Sequence, residues 1–247
     1  MIEFRSVTKR FDGPPVLDQL SLTITKGEIV FLIGRSGVGK SVSLKCLVGL
    51  LQPEGGEILF DGRPTSGLDE RGWMDLRRRC SLIFQNSALI DSMTVAENLA
   101  LGLRAHKITN NRREERRLIE TEIAEVGLDE SILSRYPLEL SHSVQKRVSV
   151  ARALVIGSEA LLFDEPTTGL DPIDTARINQ LIERLGRAGR TVWVVSHDMQ
   201  CALATADRII LLETARIAAD VTPKTIRLAT HPLVQRFLEE ADARKLH

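Results

Sequence analysis

The sequence is poor in aromatic residues and cysteines, and it has no excess of either charge. Phe, Trp and Tyr make up 4% of the 247 residues, and the three cysteines, Cys46, Cys80 and Cys201, are widely spaced. An odd number at such spacing suits neither a disulfide framework nor a metal site and is typical of a reducing compartment. The 33 basic and 33 acidic residues balance, so the charge predicts no nucleic-acid partner.

Long apolar runs are also missing. No run reaches the roughly 18 to 20 residues that a membrane-spanning helix needs, and MIEFRSVTKRF opens as an alternating strand, unlike a signal peptide. We therefore expect any membrane role to come through a partner. Hydrophobic residues nevertheless make up 43% of the chain, enough for a sizeable core without disulfides.

The first 60 residues predict strands arranged around one helix. Residues 20–24 alternate between apolar and polar side chains, as in a half-exposed antiparallel strand, whereas residues 29–33 are continuously apolar, as in a strand buried on both faces. That run leads through a glycine-rich turn into SVSLKCLVGLL, a helix that we expect to end at Pro53. A strand, a glycine loop and a helix in this order indicate an α/β fold.

Residues 87–159 carry helical patterns and no clear strand. The segment TVAE at residues 94–97 is a capping box that marks the start of one helix, and the charged run 112–117 is expected on the solvated face of another. Apolar runs at residues 160–163 and 192–195 then restore the pattern of a buried strand. We predict a helical subdomain inserted into an α/β core.

One octapeptide, GRSGVGKS, matches the pattern G-x-x-x-x-G-K-[ST] between a buried strand and a helix. Its glycines let backbone N–H groups wrap around phosphate oxygens, Lys40 would contact the β and γ phosphates, and Ser41 would offer its hydroxyl to Mg²⁺. A P-loop kinase or GTPase would explain this motif alone, although the chain has no guanine-reading NKxD. The nucleotide-binding candidates are Gly34, Arg35, Ser36, Gly37, Val38, Gly39, Lys40 and Ser41.

Further polar residues stand at predicted strand ends. In ALLFDE, Asp164 fits a Mg²⁺ ligand and Glu165 could polarise an attacking water, although such a pair is often structural. His197 follows the TVWVV strand at the corresponding position and could equally be an ordinary loop histidine. Gln85 follows another apolar run and could contact both Mg²⁺ and the water.

Residues 140–147 read LSHSVQKR and stand at a predicted helix start. Ser141 is the natural N-cap, and Lys146 and Arg152 lie off the apolar stripe of the helix. Unpaired N–H groups at this start could hold an anion, although a capped surface helix is the simpler interpretation. Near the beginning of the chain, Phe11 could stack on adenine or pack in the core.

Together these motifs resemble the nucleotide-binding subunits of the ABC ATPases. GRSGVGKS is similar to Walker A, LLFDEP to Walker B with its catalytic glutamate, and TTGLDP, which contains Asp171, to the D-loop. Gln85 matches the Q-loop, His197 the switch histidine, and RVSVARAL the segment after the family's signature. The resemblance covers nearly the whole chain in the right order. It implies ATP and Mg²⁺ as cofactors, with Glu165, His197 and Gln85 as catalytic residues and Ser41, Gln85 and Asp164 as metal ligands.

The resemblance also implies a fold and an assembly. The fold is a P-loop NTPase (RecA-like) core with an antiparallel β subdomain, residues 1–86 and 160–247, and an ABC-specific helical subdomain, residues 87–159. The family works as a head-to-tail dimer that holds ATP between the P-loop of one protomer and the signature helix of the other. A second ATPase protomer, most simply an identical chain, is therefore an expected partner.

The signature itself departs from the family pattern. Where LSGGQ or a close relative is usual, this chain reads LSHSVQ, so His142 and Ser143 replace two glycines, while Ser141 is kept. With Gln145, these residues are the expected contacts to the partner's nucleotide. Side chains at phosphate-facing amides should weaken their hydrogen bonds, which predicts a weak or partner-dependent ATPase. Alternatively, a protonated His142 could add positive charge near the γ-phosphate.

Within the family, FQNSALIDSMTV and HPLVQRFLEE resemble segments of the ATPases of Mla-type, MCE-linked phospholipid transporters. This implies a permease, an MCE-type lipid-binding protein and a peripheral location on the cytoplasmic face of the inner membrane, with residues 89–93 forming an apolar permease contact. Thr214-Ala215 replaces a common turn glycine, and the chain ends soon after FLEE, so we expect the inter-protomer clasp of longer Mla-type tails to be reduced. Another ABC transporter class and a soluble ABC ATPase remain the alternatives.

Overall fold

The computed structural model describes residues 1–243 and contains two β-sheets. The smaller sheet is four-stranded and antiparallel, as expected for the N-terminal β subdomain. Its strands, in the order β2-β1-β4-β5, are β1 (Ile2–Arg10), β2 (Pro15–Ile24), β4 (Gly55–Phe60) and β5 (Arg63–Pro64). The alternation at residues 20–24 therefore predicted the type of strand correctly.

The larger sheet is six-stranded and parallel except for its last strand, which pairs with its neighbour as an antiparallel hairpin. Its strands are β3 (Ile29–Ile33), β6 (Cys80–Ile83), β7 (Ala160–Asp164), β8 (Thr191–Ser196), β9 (Arg208–Glu213) and β10 (Arg216–Val221), in the order β10-β9-β3-β8-β7-β6. The three continuous apolar runs of the sequence are β3, β7 and β8, which lie side by side at the centre of the sheet. Both faces of a parallel sheet are covered, which explains their unbroken hydrophobicity.

Eight α-helices surround the sheets within residues 1–243. They are α1 (Lys40–Leu47), α2 (Glu70–Arg79), α3 (Val95–Ala105), α4 (Arg112–Glu125), α5 (His142–Leu154), α6 (Pro172–Arg187), α7 (Met199–Thr205) and α8 (Pro232–Ala243). Helices α3, α4 and α5 occupy the chain between β6 and β7. Helix α1 is shorter than expected because Gly49, at φ 69°, ends it in a left-handed conformation before Pro53 is reached.

The hydrophobic core lies in two layers on the two faces of the larger sheet. Alternate residues of β3 divide between them: Val30 and Leu32 pack with α1 and the smaller sheet, whereas Phe31 packs with the helices of the other side. In the first layer the Phe4 and Trp193 rings meet edge to face, with centroids 5.6 Å apart. The sheet is thus held between two apolar layers. This packing fixes the position of its carboxyl edge relative to α1 and α5.

Two predicted helix starts are confirmed. Thr94 and Glu97 form the reciprocal hydrogen bonds of a capping box at α3, and the Ser141 hydroxyl caps α5 by accepting from the N–H of Val144. Lys146 of α5 is only 6% exposed although it lies off the apolar stripe of the helix. None of the helices within residues 1–243 has both the length and the apolar character that crossing a membrane requires.

Candidate nucleotide site

The glycine loop lies between the carboxyl end of β3 and the start of α1. Gly39 adopts φ 102°, and a Cβ there would lie 2.2 Å from the carbonyl oxygen of Val16, so only glycine fits. The next residue, Lys40, is 5% exposed, and its Nζ donates to the carbonyl oxygens of Gly34 at 2.7 Å and Arg35 at 2.9 Å. The loop thus encircles the lysine ammonium and places it beside the N–H groups that begin α1, where phosphate oxygens bind favourably.

Two oxygen-bearing side chains meet next to this lysine. The hydroxyl of Ser41 donates to Oδ1 of Asp164 at 2.5 Å, and Asp164 is only 7% exposed at the end of β7. Mg²⁺ prefers such hard oxygen donors and is commonly bound by one or two protein ligands together with substrate phosphates. No cluster of three or more His, Cys, Asp and Glu able to hold a metal occurs among residues 1–243. The donor set therefore fits Mg²⁺ held jointly with a nucleotide.

Glu165 stands at the centre of a contact network. Its Oε2 lies 2.8 Å from Nδ1 of His197 and accepts from the hydroxyl of Thr168 at 3.3 Å, while its Oε1 lies 3.5 Å from Nζ of Lys40. Its backbone N–H donates to the carbonyl of Val195 at 2.9 Å in the neighbouring strand. Burial lowers the pKa of Lys40, and the negative charge of Glu165 partly offsets this shift. The side chains of Lys40, Glu165, Thr168 and His197 thus form one site, in which the positive charge of Lys40 faces the negative charge of Glu165.

The backbone of Glu165 is left-handed, with φ 49°. A non-glycine residue in this region is strained by roughly 1–3 kcal/mol, and such strain is concentrated at functional sites. In this conformation the carboxylate lies 3.5 Å from Nζ of Lys40.

A cavity of about 360 Å³ connects these residues. It brings together the sequence candidates Arg35, Ser36, Gln85, Glu165 and His197. Thr168 and residues of α8 also line it, and sequence reasoning did not include them: Thr168, Leu233, Arg236, Phe237 and Glu240. The i, i+4 spacing of Leu233 and Phe237 predicts an apolar helix face, but it does not indicate what that face covers.

The remaining candidates at the start of α5 divide into exposed and inward-facing side chains. Ser141 and His142 are exposed, whereas Ser143 is only 2% exposed and its hydroxyl lies beside Asp174, whose pKa it lowers without forming a well-aligned hydrogen bond. The side-chain amide of Gln145 donates to the carbonyl oxygens of Pro137 at 3.0 Å and Leu140 at 3.1 Å, which both precede the helix. The structure therefore directs Ser143 and Gln145 into their own protomer. Counted from Leu140, the final position of LSGGQ falls on Val144 instead of Gln145.

Two candidates lie farther from Glu165. Phe11 is 53% exposed in the β1–β2 turn, with Nζ of Lys9 5.3 Å from its ring centroid, so the core-packing alternative for Phe11 is wrong. Asp171 caps α6, where its carboxylate accepts from the N–H of Asp174 at 2.8 Å.

A family comparison matches this arrangement of sites. Residues 17–168, which contain both the glycine loop and the strand ending in Asp164, match the model described as ABC transporter. The chain belongs to the ABC transporter family. The expected cassette fold is confirmed by the solved structures described next.

Individual relatives extend the match over most of the chain. The glutamine transport ATP-binding protein GlnQ of Escherichia coli is 36% identical over 97% of this chain and 98% of its own length. The methionine import ATP-binding protein MetN of Mesorhizobium japonicum is 39% identical over 88% of this chain, which spans only 59% of that longer relative. The dimeric MJ0796, described as a bacterial ABC transporter cassette, aligns over 90% of this chain with a TM-score of 0.83 and 31% identity. A post-hydrolysis state of MJ0796, bound to ADP and Pi, aligns with a TM-score of 0.82.

Proposed function

We propose that this chain is the ATP-binding and ATP-hydrolysing motor subunit of an ABC transporter. The observation that carries the proposal is the convergence of Lys40, the Ser41–Asp164 pair and the Glu165–His197 pair at one edge of the larger sheet. Ligands of open α/β sheets bind at this carboxyl edge. The five residues come from three separate segments of the chain, so their meeting is a property of the fold.

The residues divide into a binding group and a reacting group. Lys40 and the first N–H groups of α1 would hold the phosphates, and Ser41, Asp164 and Gln85 would hold Mg²⁺, which when bound neutralises phosphate charge. Glu165 acts as the base that accepts a proton from the attacking water. His197 contacts the carboxylate of Glu165 and keeps it oriented, and Thr168 supports the same oxygen.

A second copy of the chain completes the site in this proposal. His142 and Ser141 are exposed at the start of α5, where they can meet the nucleotide of another protomer. The dimeric state of the similar MJ0796 supports this arrangement. This chain spans only 59% of the length of MetN. The partners of the transporter are therefore proposed, and they do not follow from the family match.

Phosphate release by the purified full-length chain with MgATP tests the activity, with Lys40→Ala as the variant that should not bind ATP. ATP-dependent dimerisation, measured by light scattering, distinguishes an ABC ATPase from a P-loop kinase or GTPase. A chain that neither releases phosphate nor dimerises with ATP, alone or with its membrane partners, would contradict the proposal.

An apolar groove supports a membrane partner. It has a volume of about 470 Å³ and is lined by residues of β6, α3 and α5 together with Val48 and Leu50. Leu50 is 50% exposed, and Leu101 of α3 is 43% exposed. A helix of a permease could place its apolar face here. Of the sequence's candidate contacts, Ile90 is 37% exposed but Leu89 packs on the core. We propose a peripheral location on the cytoplasmic face of the inner membrane.

For the cargo we propose phospholipid, carried with an MCE-type protein. The support is the resemblance of FQNSALIDSMTV and HPLVQRFLEE to Mla-type subunits. GlnQ and MetN are named for glutamine and methionine, which makes import of an amino acid the competing proposal.

Purification of the tagged chain from membranes separates the candidate cargoes. An associated permease, an MCE-type protein and enriched phospholipid support lipid transport, whereas a solute-binding protein with a bound amino acid supports import. Failure of the chain to sediment with membranes would favour a soluble ABC ATPase.

A further inference from the structure

We propose that Lys146 and Arg152 of α5 are positioning residues that hold the Gln85 segment in register with the catalytic site. Nζ of Lys146 donates to the carbonyl oxygen of Gln85 at 3.0 Å. Arg152 donates to the carbonyls of Ala88 at 2.7 Å and Ser87 at 3.3 Å. Three carbonyls in a four-residue segment are thus bound by two cations from one helix.

Burying these cations is unfavourable unless hydrogen bonds compensate for the lost contact with water. Lys146 is 6% exposed, and desolvation lowers its pKa although the charge of Glu165 opposes the shift. Burial also lowers the pKa of Arg152, and the carbonyl dipoles of residues 87 and 88 are its compensating contacts. Replacing either cation by an apolar residue would leave these carbonyls without their donors, so an effect on catalysis must be measured apart from an effect on stability.

These hydrogen bonds restrain the backbone of residues 85–88, whereas the side chain of Gln85 itself is exposed. Gln85 is exposed and lines the cavity with Glu165, while its carbonyl is fixed by Lys146. Because the peptide unit is planar, fixing that carbonyl orients the plane that follows the Cα of Gln85 and so narrows the directions open to its side chain. Downstream, the fully buried Asn98 binds the backbone of Ile90, Met93 and Thr94. The segment is anchored to α5 at one end and to α3 at the other.

The anchoring also joins two sites of the proposed dimer. His142 precedes Lys146 by one helical turn, about 6 Å along α5, and is exposed where a partner's nucleotide would arrive. A displacement of α5 on contact with that nucleotide would move the Gln85 carbonyl and change the position of the side chain that faces this protomer's cavity. Lys146 thus links nucleotide binding in the partner protomer's site to the geometry of the catalytic site in its own protomer.

Steady-state kinetics of Lys146→Met test this inference, which rests on the ATPase activity proposed above. Misplacing Gln85 by about 1 Å should lower kcat by roughly 10- to 100-fold. KM for ATP should stay within about twofold, because the P-loop is untouched, and the Mg²⁺ concentration for half-maximal rate should rise. Lys146→Arg should recover most of the rate, and Lys224→Met, at an exposed lysine, is the matched control.

A double-mutant cycle separates positioning from general damage. If Lys146 acts through Gln85, then Lys146→Met should have little further effect on kcat in a Gln85→Ala background. Independent, multiplicative effects of the two changes, or a kcat for Lys146→Met within twofold of the parent, would overturn the inference. If Lys146→Met does not fold, the same cycle with Lys146→Gln decides it. A parent chain that hydrolyses no ATP, either alone or with its membrane partners, would instead refute the proposed function.

Discussion

The glycine loop and the start of α5 contact the nucleotide from opposite protomers in the proposed dimer, but they tolerate side chains very differently. At Gly39 the backbone is left-handed and a Cβ would collide with the carbonyl of Val16. His142 and Ser143, in contrast, occupy ordinary helical positions directly after the N-cap Ser141. Within its own protomer, α5 has no backbone reason to require glycine at either position.

The difference separates two reasons for a glycine in a phosphate-binding motif. One is internal, because the chain cannot adopt the required φ or fit a Cβ. The other is external, because a ligand or a partner must approach the backbone closely. Only the second can be relaxed without disturbing the fold, and the HS of LSHSVQ is a case of that kind. Substitutions at Gly39 and at His142 test the distinction.

Gly39→Ala should have the largest effect on ATP binding, since it places a Cβ 2.2 Å from the Val16 carbonyl oxygen. We expect ATP affinity to fall by at least about 100-fold, equivalent to roughly 3 kcal/mol, as measured by calorimetric titration. Gly157→Ala is the control, because Gly157 has φ 77° but no atom within 4 Å of the added Cβ. It should lose about 1–2 kcal/mol of stability and bind ATP normally. Equal loss of ATP binding in both variants would disprove a local steric cause.

Glu165→Gln should abolish most hydrolysis while preserving binding, because the amide keeps the shape of the side chain at φ 49° but cannot accept the proton. We expect turnover to fall by on the order of 10² to 10⁴ and ATP-bound dimers to accumulate, as seen by size-exclusion chromatography with ATP. Glu239→Gln, on the exposed face of α8, is the control and should be silent. Hydrolysis by Glu165→Gln at the parental rate would show that another group is the base.

His142→Gly should raise turnover at saturating ATP by roughly tenfold, less than the 10² to 10³ that a missing oxyanion donor can cost. The exposed imidazole is the side chain that would keep a phosphate from the helix amides. Ser143→Gly should give no gain, because its side chain is buried beside Asp174, and it should cost about 0.5–1 kcal/mol of stability. An unchanged rate for His142→Gly, or an increase from Ser143→Gly alone, would contradict this division.

Thr214→Asn should have the smallest effect. Thr214 and Ala215 form the β9–β10 turn at φ 43° and 66°, where a branched side chain is strained and asparagine is tolerated. Relief of about 1 kcal/mol should raise Tm by roughly 2–4 °C, as measured by calorimetry. Thr121→Asn, on the exposed face of α4, has no such strain to relieve and should leave Tm unchanged. Equal shifts in both variants would point to a general effect of asparagine.

Much of the fold could be predicted because local patterns carried it. The alternating and continuous apolar runs distinguished strands of the smaller sheet from β3, β7 and β8, and the capping box located the start of α3. Helix α2 was missed because only Trp73 and Leu76 of its ten residues pack on the core, which makes its apolar stripe short. For the site, the glycine pattern and the strand-end carboxylates indicated residues that the structure does bring together.

The sequence by itself determined the chemistry: which loop can wrap a phosphate, which carboxylates follow a buried strand, and which two glycines the signature has lost. Tertiary structure alone decided directions and neighbours. It turned Ser143 inward and left His142 exposed, placed α8 over the cavity beside His197, and buried Lys146 against the Gln85 carbonyl. Those outcomes depend on the packing of segments far apart in the chain, because the rotation of a helix is fixed by the surfaces on which it rests and not by its own residues alone.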